Sequence, residues 1–319
     1  MTSRFVLRTP EDILALVPVA LGFHPAQSLV MVAFTADGPS FHARVDLPRA
    51  PDHVEEVVAR LVGAARQHHV ATAIVLAYTE QAQVPACWEV VRHLRLAGVS
   101  VIDVIRVGAD HYWTGRDVDG LGVEEFVDGP GSAYDVSTHP FVVERIVSGS
   151  VIRSGRDELH DTLITDPAQV QRIEAAIARQ LQSRPDPPDE LELGWLHARS
   201  RRFIRDRGAL TDEEAARVLC AVSWPLGRDA AWESVGRGEA AGLVDMWADL
   251  VRRAPAPWSA HAAAVLALLS WISGDGALAW CAVDRSLETD PDNSLARLVA
   301  QILEAAISPT TWRPVHSTG

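Results

Sequence analysis

Residues 71–78 read Ala-Thr-Ala-Ile-Val-Leu-Ala-Tyr, a nearly unbroken apolar run. A strand of that composition cannot leave one face in water, so it belongs in a sheet covered on both sides. The flanking sequence supplies the covers. Val54, Val57, Val58, Leu61, Val62 and Ala65 repeat with helical spacing ahead of it, and Pro85 to Ala97 is a second helical stretch stopped by Gly98. Val99 to Val107 is a further strand. Upstream, Thr9-Pro10-Glu11-Asp12 is a helix start, with Thr9 as cap and Pro10 at the first helical position, and Gly22 is placed to end that helix. Ser28 to Thr35 and Ser40 to Leu47 are strands joined across Asp37-Gly38, a hairpin turn signal.

The order strand, strand, helix, strand, helix, strand implies two right-handed crossovers. It predicts parallel strands near 40–47, 71–78 and 99–107, with the first strand antiparallel to the second. The expectation is an α/β domain over residues 1–160 with a mixed, mostly parallel sheet of four or five strands. His111 to Thr114 reads as a short strand, and the Gly- and Asp-rich residues 115–135 read as an irregular loop.

Helices are expected at roughly 138–148, 155–164 and 167–182, with caps at Ser154 and Asp166. Arg184-Pro-Asp-Pro-Pro-Asp189 is linker-like, because its prolines remove donors and fix backbone angles. Residues 161–189 are therefore read as a helix and linker, 190–312 as an all-α domain and 313–319 as a tail. Ser259 to Asn293 is similar to one degenerate tetratricopeptide unit at Leu266, Ala267, Gly274-Asp275, Ala279 and Pro291, without a second copy at the repeat period.

Composition removes several chemistries. All 29 basic residues are arginine. Without lysine there is no Schiff base with pyridoxal phosphate or a carbonyl substrate, no P-loop nucleotide site of the usual kind and no kinase-type strand lysine. The cofactor is left unknown. Cys87, Cys220 and Cys281 are far apart and form no C-x-x-C pair, so they read as reduced thiols and not as a disulfide frame or structural zinc. The net charge is −13, with 13 arginines against 20 carboxylates in residues 1–160 and 16 against 22 in 161–319. An evenly acidic surface argues against nucleic acid as a general partner. The longest apolar run, Ala262 to Ile272, is too short to span a bilayer. Acidic Glu11 and Asp12 interrupt the N-terminus in the wrong order for a secretory signal, so no membrane role and a cytoplasmic location are expected.

Ligands of sheets with parallel strands bind beyond the carboxyl ends of those strands. That edge would gather Asp46, Thr79-Glu80 and Asp110-His111, joined by His24 and Ser28 from the start of the antiparallel strand. A two-residue turn at Asp37-Gly38 would set Ser28 opposite Leu47, beside Asp46. In a catalytic reading His24 is a general base, Ser28 a nucleophile and Asp46 the group orienting the histidine, with Arg44, Glu80, Asp103, Asp110 and His111 as ligand-binding residues. In a structural reading these short polar groups close local hydrogen bonds. Asp103 shares a strand face with Val99, Val101, Ile105 and Val107, so it needs a partner, for which Arg145 and Arg156 are candidates.

The twelve histidines show no metal pattern; His68-His69 close a helix more readily than they bind zinc. Arg199, Arg201, Arg202, Arg205 and Arg207 are the one dense positive run, either a phosphate or acidic-partner site or a solvated face paired with Glu190, Glu192, Asp206 or Glu213. Seven tryptophans, at 195, 224, 232, 247, 258, 271 and 280, crowd the helical half as core or as a peptide-binding groove.

Several stretches are similar to one family. They are Leu21-Gly-Phe-His-Pro25, Ser28-Leu-Val30, Arg44-Val-Asp-Leu-Pro48, Gly98-Val-Ser-Val-Ile-Asp103, Tyr112-Trp113, Ser154-Gly-Arg-Asp-Glu158, Gly227-Arg-Asp-Ala230 and Gly274-Asp-Gly-Ala-Leu-Ala279. In that order they resemble the actinobacterial domain of unknown function 4192. Relatives carry a cysteine- and proline-containing stretch after the Tyr-Trp pair, whereas Thr114-Gly-Arg-Asp-Val-Asp119 has neither residue. The resemblance implies a family and no activity. The expected function is a non-catalytic cytosolic ligand-binding or protein-interaction protein, its C-terminal helices meeting a protein partner. The alternative is a hydrolase-like or transferase-like enzyme with an acidic His/Ser/Asp pocket, suited to a cationic substrate or a divalent ion.

Overall fold

The computed structural model describes residues 7–35, 41–118, 123–127, 129–147, 152–183 and 186–315. The chain forms two compact units, Met1–Gly155 and Arg156–Gly319.

The first unit is α/β. Its elements are α1 (Pro10–Leu21), β1 (Ser28–Thr35), β2 (Phe41–Asp46), α2 (Val54–Gln67), β3 (Val70–Tyr78), α3 (Pro85–Leu96), β4 (Ser100–Val107), β5 (His111–Val118), β6 (Val123–Phe126), β7 (Ser132–Ala133) and α4 (Pro140–Val147). The start of α1 follows from its sequence. Thr9 Oγ1 accepts from the Asp12 N–H and Asp12 Oδ2 accepts from the Thr9 N–H, a complete capping box, while Gly22 ends the helix at φ 78°. The Asp37-Gly38 turn signal lies outside the described residues.

The sheet runs β2-β1-β3-β4-β5-β6, with β7 paired to β5. Two expectations are corrected here. The strands among the described residues number seven, not four or five, because β5 continues to Val118 and β6 and β7 form within the stretch read as irregular loop. Its glycines and carboxylates hide short edge strands, in which the buried face reduces to single residues such as Phe126 and leaves no apolar alternation to read. The sheet is also not mostly parallel. β2, β3 and β4 do point the same way, but β1 lies between β2 and β3 and is antiparallel to both, leaving β3–β4 as the parallel ladder among the described residues. The first six residues of β1 are buried, which is why it takes a central place and does not sit at the hairpin's outer side.

Both faces are covered. On one, α2 and α3 pack Leu61, Val90, Val91 and Leu94 against Leu29, Met31, Val75 and Ala77. On the other, α1 packs Ile13, Leu14 and Val17 against Val30, Val32, Ile74, Leu76 and Ile105.

The second unit is helical: α5 (Arg156–Asp161), α6 (Pro167–Ser183), α7 (Glu190–Asp206), α8 (Asp212–Val222), α9 (Pro225–Ala230), α10 (Arg237–Arg253), α11 (Trp258–Ser273), α12 (Gly276–Thr289) and α13 (Ser294–Glu304). The proline-rich stretch before α7 lies inside this unit. Asp166 caps α6 through the N–H groups of Ala168 and Gln169, and Thr211 caps α8. α11 is the central element, buried almost along its length, with α10, α12 and α13 packed around it. No helix among the described residues is long and apolar enough to cross a membrane.

Candidate functional site

The carboxyl edge of the first unit's sheet gathers the segments expected there. Ser28 stands opposite Asp46 on one side and Tyr78 on the other, Tyr78 opposite Val107, and Val107 opposite Tyr112. The register differs by one residue from the expected pairing of Ser28 with Leu47, whose N–H instead donates to the Gln27 carbonyl at 2.8 Å.

The rim does not assemble a proton relay. His24 is solvent-exposed, and the packing behind its ring holds its pKa below the ordinary imidazole value. Its backbone is fastened, since the His24 N–H donates to the Arg153 carbonyl and the Arg153 N–H to that of Gly22, each at 2.9 Å. The imidazole makes no hydrogen bond to Ser28 or Asp46 among the described residues. Ser28 is fully buried and its hydroxyl has no partner among the described residues. Asp46 accepts from the Arg44 guanidinium at 2.6 Å, and that guanidinium lies 5.7 Å from the centre of the Phe23 ring.

The other rim carboxylates are engaged too. Glu80 Oε1 accepts from the Ala109 N–H at 2.8 Å. Asp110 meets His111 Nδ1 at 2.8 Å, and this bond lowers the Asp110 pKa. Asp103 is not at the rim. It stands opposite Ile74, on the α1 side of the sheet with Ile105 and Val107 but without Val99 and Val101, because a bulge between Ala73 and Ile74 shifts the register. Its carboxylate accepts from the Val104 N–H at 2.9 Å, and burial raises its pKa. Neither proposed arginine pairs with it; Arg156 meets Asp284 in the second unit at 3.3 Å.

Sequence reasoning missed the tyrosines. The chain has three, Tyr78, Tyr112 and Tyr134, and all three gather on the α1 side of this rim. Tyr112 donates to Glu11 at 3.1 Å and Tyr134 to the Gly108 carbonyl at 3.1 Å, with their rings 6.2 Å apart. Tyr78, which ends the apolar strand directly opposite Ser28, has a buried hydroxyl with no partner among the described residues. Burial raises all three phenol pKa values, so each stays protonated and able to donate. Gln27, at φ 45°, was missed as well; its Oε1 accepts from the Thr79 hydroxyl at 3.3 Å, tying the start of β1 to the end of β3. The signal available was scarcity, since two of only three tyrosines sit at the rim ends of predicted strands.

Further along the same face, His42 stands opposite Val32 with its Nδ1 buried and without a partner among the described residues. Burial pulls its pKa from 6.5 down to about 4, because protonation would place an unpaired N–H in the interior. A base with a depressed pKa favours the fold when neutral. Its contribution is complete above about pH 6.5, declines as the pH falls toward about 4 and is level below that, a change on the order of 3 kcal/mol. The urea midpoint of His42→Gln is expected to fall less than that of wild type between about pH 7 and pH 4.5; equal losses would remove His42 as the titrating group.

In the second unit the arginine run is largely paired internally. Arg199 meets Glu214 at 3.0 Å and the Gly208 and Ala209 carbonyls, Arg202 and Arg205 meet Asp206, and Arg207 meets the Gly242 carbonyl and Asp245. Glu192 pairs instead with Arg217, at 2.7 Å through both oxygens, and Glu213 with Arg179. No group of three or more His, Cys, Asp or Glu able to hold a metal occurs among the described residues.

These features define an α/β unit with a mixed, doubly covered sheet and a polar carboxyl-edge rim, followed by a helical unit. Residues 10–310 match the family described as domain of unknown function (DUF4192), and the chain belongs to that family. No curated protein and no solved structure matches it.

Proposed function

We propose that the chain is a non-catalytic binding protein whose rim takes a small, uncharged polar ligand through the hydroxyls of Ser28 and Tyr78. The observation that carries this is the pair of buried, partnerless hydroxyls on directly opposed residues of β1 and β3. A buried polar group left unsatisfied costs about 1–3 kcal/mol, so two side by side are a standing demand for a partner. Asp46, Glu80 and Asp110 already have theirs, so hydroxyl chemistry and not charge is what the rim has to offer. A sugar, polyol or amide carbonyl fits two neutral donor–acceptor groups beside an aromatic cluster.

The hydrolase-like or transferase-like alternative is the weaker reading. A serine unbonded to His24 lacks the activated geometry of a nucleophile. For the helical unit, the proposal keeps a protein partner, with α11 and α12 as a tetratricopeptide-like pair; Leu191, Trp224 and Leu226 stand exposed there.

The test is thermal-shift screening against sugars, polyols and amides, with wild type beside Ser28→Ala/Tyr78→Phe and His24→Ala. In buffer, the double variant should hold or gain stability, because it removes two unsatisfied groups. A compound that raises the melting temperature of wild type and of His24→Ala, but not of the double variant, supports the reading. A shift that survives in the double variant would place the ligand elsewhere.

A further inference from the structure

Arg106 is the buried arginine whose charge the structure leaves unanswered. It is 7% exposed and projects from β4 to the α2–α3 side of the sheet, where its cross-strand neighbours are Ala77 and Trp113. A buried arginine ordinarily has a carboxylate partner. In the helical unit, Arg199 has Glu214 at 3.0 Å, and Arg253 has Asp212 at 3.0 Å and Asp249 at 2.9 Å. Arg106 makes no hydrogen bond and no ion pair among the described residues, and its Nε is shut away from solvent without an acceptor. Glu80 acts on it only from beyond ion-pair distance.

The guanidinium is held by an aromatic platform instead. Its central carbon lies 3.5 Å from the centre of the Trp113 ring and 5.9 Å from that of Phe126. The indole is itself fixed, because Trp113 Nε1 donates to the Gly129 carbonyl at 2.9 Å. Gly131, at φ 78°, lies so close that an added Cβ would fall 2.7 Å from indole Cε2. Stacking on an aromatic face orients a guanidinium and leaves its in-plane N–H donors unused. A planar fork with free donors matches the paired oxygens of a carboxylate or phosphate.

We infer that Arg106, backed by Trp113, binds the oxoanion group of a small ligand, a carboxylate or a phosphate. The inference stands apart from the Ser28–Tyr78 reading, since Arg106 lies on the other face of the sheet. Burial lowers the Arg106 pKa, with Glu80 opposing, yet arginine remains a cation at neutral pH. Glu80 sets a limit on affinity. Its carboxylate would sit 3.1 Å from a Cβ added at Gly108 and shares that space with the edge of Trp113, so it repels an incoming anion.

The experiment is a melting-temperature titration with sodium phosphate and, separately, sodium acetate, each against chloride at matched ionic strength. Wild type should show a saturable rise on the order of 3 °C at about ten times the dissociation constant. Phosphate alone raising it points to a phosphate ester, acetate alone to a carboxylate, and both to a general oxoanion site. Arg106→Gln should abolish the rise. Arg106→Lys, which keeps the charge and loses the fork, should weaken binding several-fold and serves if the glutamine variant does not fold. Glu80→Gln, which can still accept from Ala109, should tighten binding several-fold, an effect that a purely structural Arg106 would not produce. No rise beyond chloride in wild type, or an undiminished rise in Arg106→Gln or Arg106→Lys, overturns the inference.

Discussion

Gly227→Ala is expected to destabilise the helical unit by about 3 kcal/mol, lowering its melting temperature by on the order of 10 °C. Gly227 is buried in α9, just after the helix opens at Pro225. A Cβ built there would overlap the Ala221 carbonyl oxygen, fall 2.7 Å from the carbonyl carbon and lie 3.2 Å from Pro188 Cγ. The obstacle is backbone at the end of α8, not the tip of a flexible side chain, and the Trp224 N–H donates to that same carbonyl at 3.2 Å. Relief therefore requires α9 to move away from α8, and close-packed interiors resist such movement. Gly194→Ala is the internal control. It lies exposed in α7 with nothing within 4 Å of its added Cβ, so the same substitution should stabilise by up to about 1 kcal/mol. Urea titrations followed by tryptophan fluorescence read both; a Gly227→Ala midpoint within error of wild type would show that the α8–α9 junction is loosely packed.

Legibility in the sequence followed the physical locality of each signal. The capping box of Thr9 and Asp12, the Gly22 stop and the Asp166 cap involve residues two or three apart or a single backbone angle, and each appears where the sequence places it. The continuous apolar run of β3 predicted a doubly covered strand, and it has helices on both faces. Pairing partners are another matter. Nothing local tells β1 to pair with β3 as well as β2, so the sheet read as mostly parallel although antiparallel ladders dominate it. The bulge beside Ile74 is likewise invisible in a regular alternation, and it is what separates Asp103 from Val99 and Val101.

The rim was legible in location but not in chemistry. Ionisable side chains attract attention in a sequence, so Asp46, Glu80, Asp110 and His24 formed the expected site. In three dimensions the carboxylates are absorbed by a neighbouring arginine, a backbone N–H and an adjacent histidine. Which polar groups remain unsatisfied depends on what packs over them, and that is a tertiary property. Tyr78 and Arg106 look in sequence like an ordinary strand end and an ordinary strand charge; only burial without a partner distinguishes them.

Trp247 offers the second large effect, and it separates two contributions of one side chain. The tryptophans of the helical half were expected to be core or groove, and they divide: Trp247 is wholly buried in α10 and Trp271 nearly so, whereas Trp224 is 40% exposed. Trp247→Ala should cost about 3–5 kcal/mol, the transfer energy of the ring plus the cavity it leaves among alanine-rich helices that have little side chain with which to fill it. The indole nevertheless carries a penalty, for its Nε1–H is buried without an acceptor among the described residues. Trp271 and Trp312, by contrast, donate to the carbonyls of Ile307 and Val235, each at 2.9 Å. Trp247→Phe removes the orphan donor along with part of the ring, so the relief of about 1–3 kcal/mol offsets much of the lost packing. Its net cost should be about 1 kcal/mol, several-fold below that of alanine. The comparison is made on urea midpoints at constant slope. If phenylalanine proved as damaging as alanine, the N–H would have to be satisfied in solution, and its hydrogen bond would account for the tryptophan at this position.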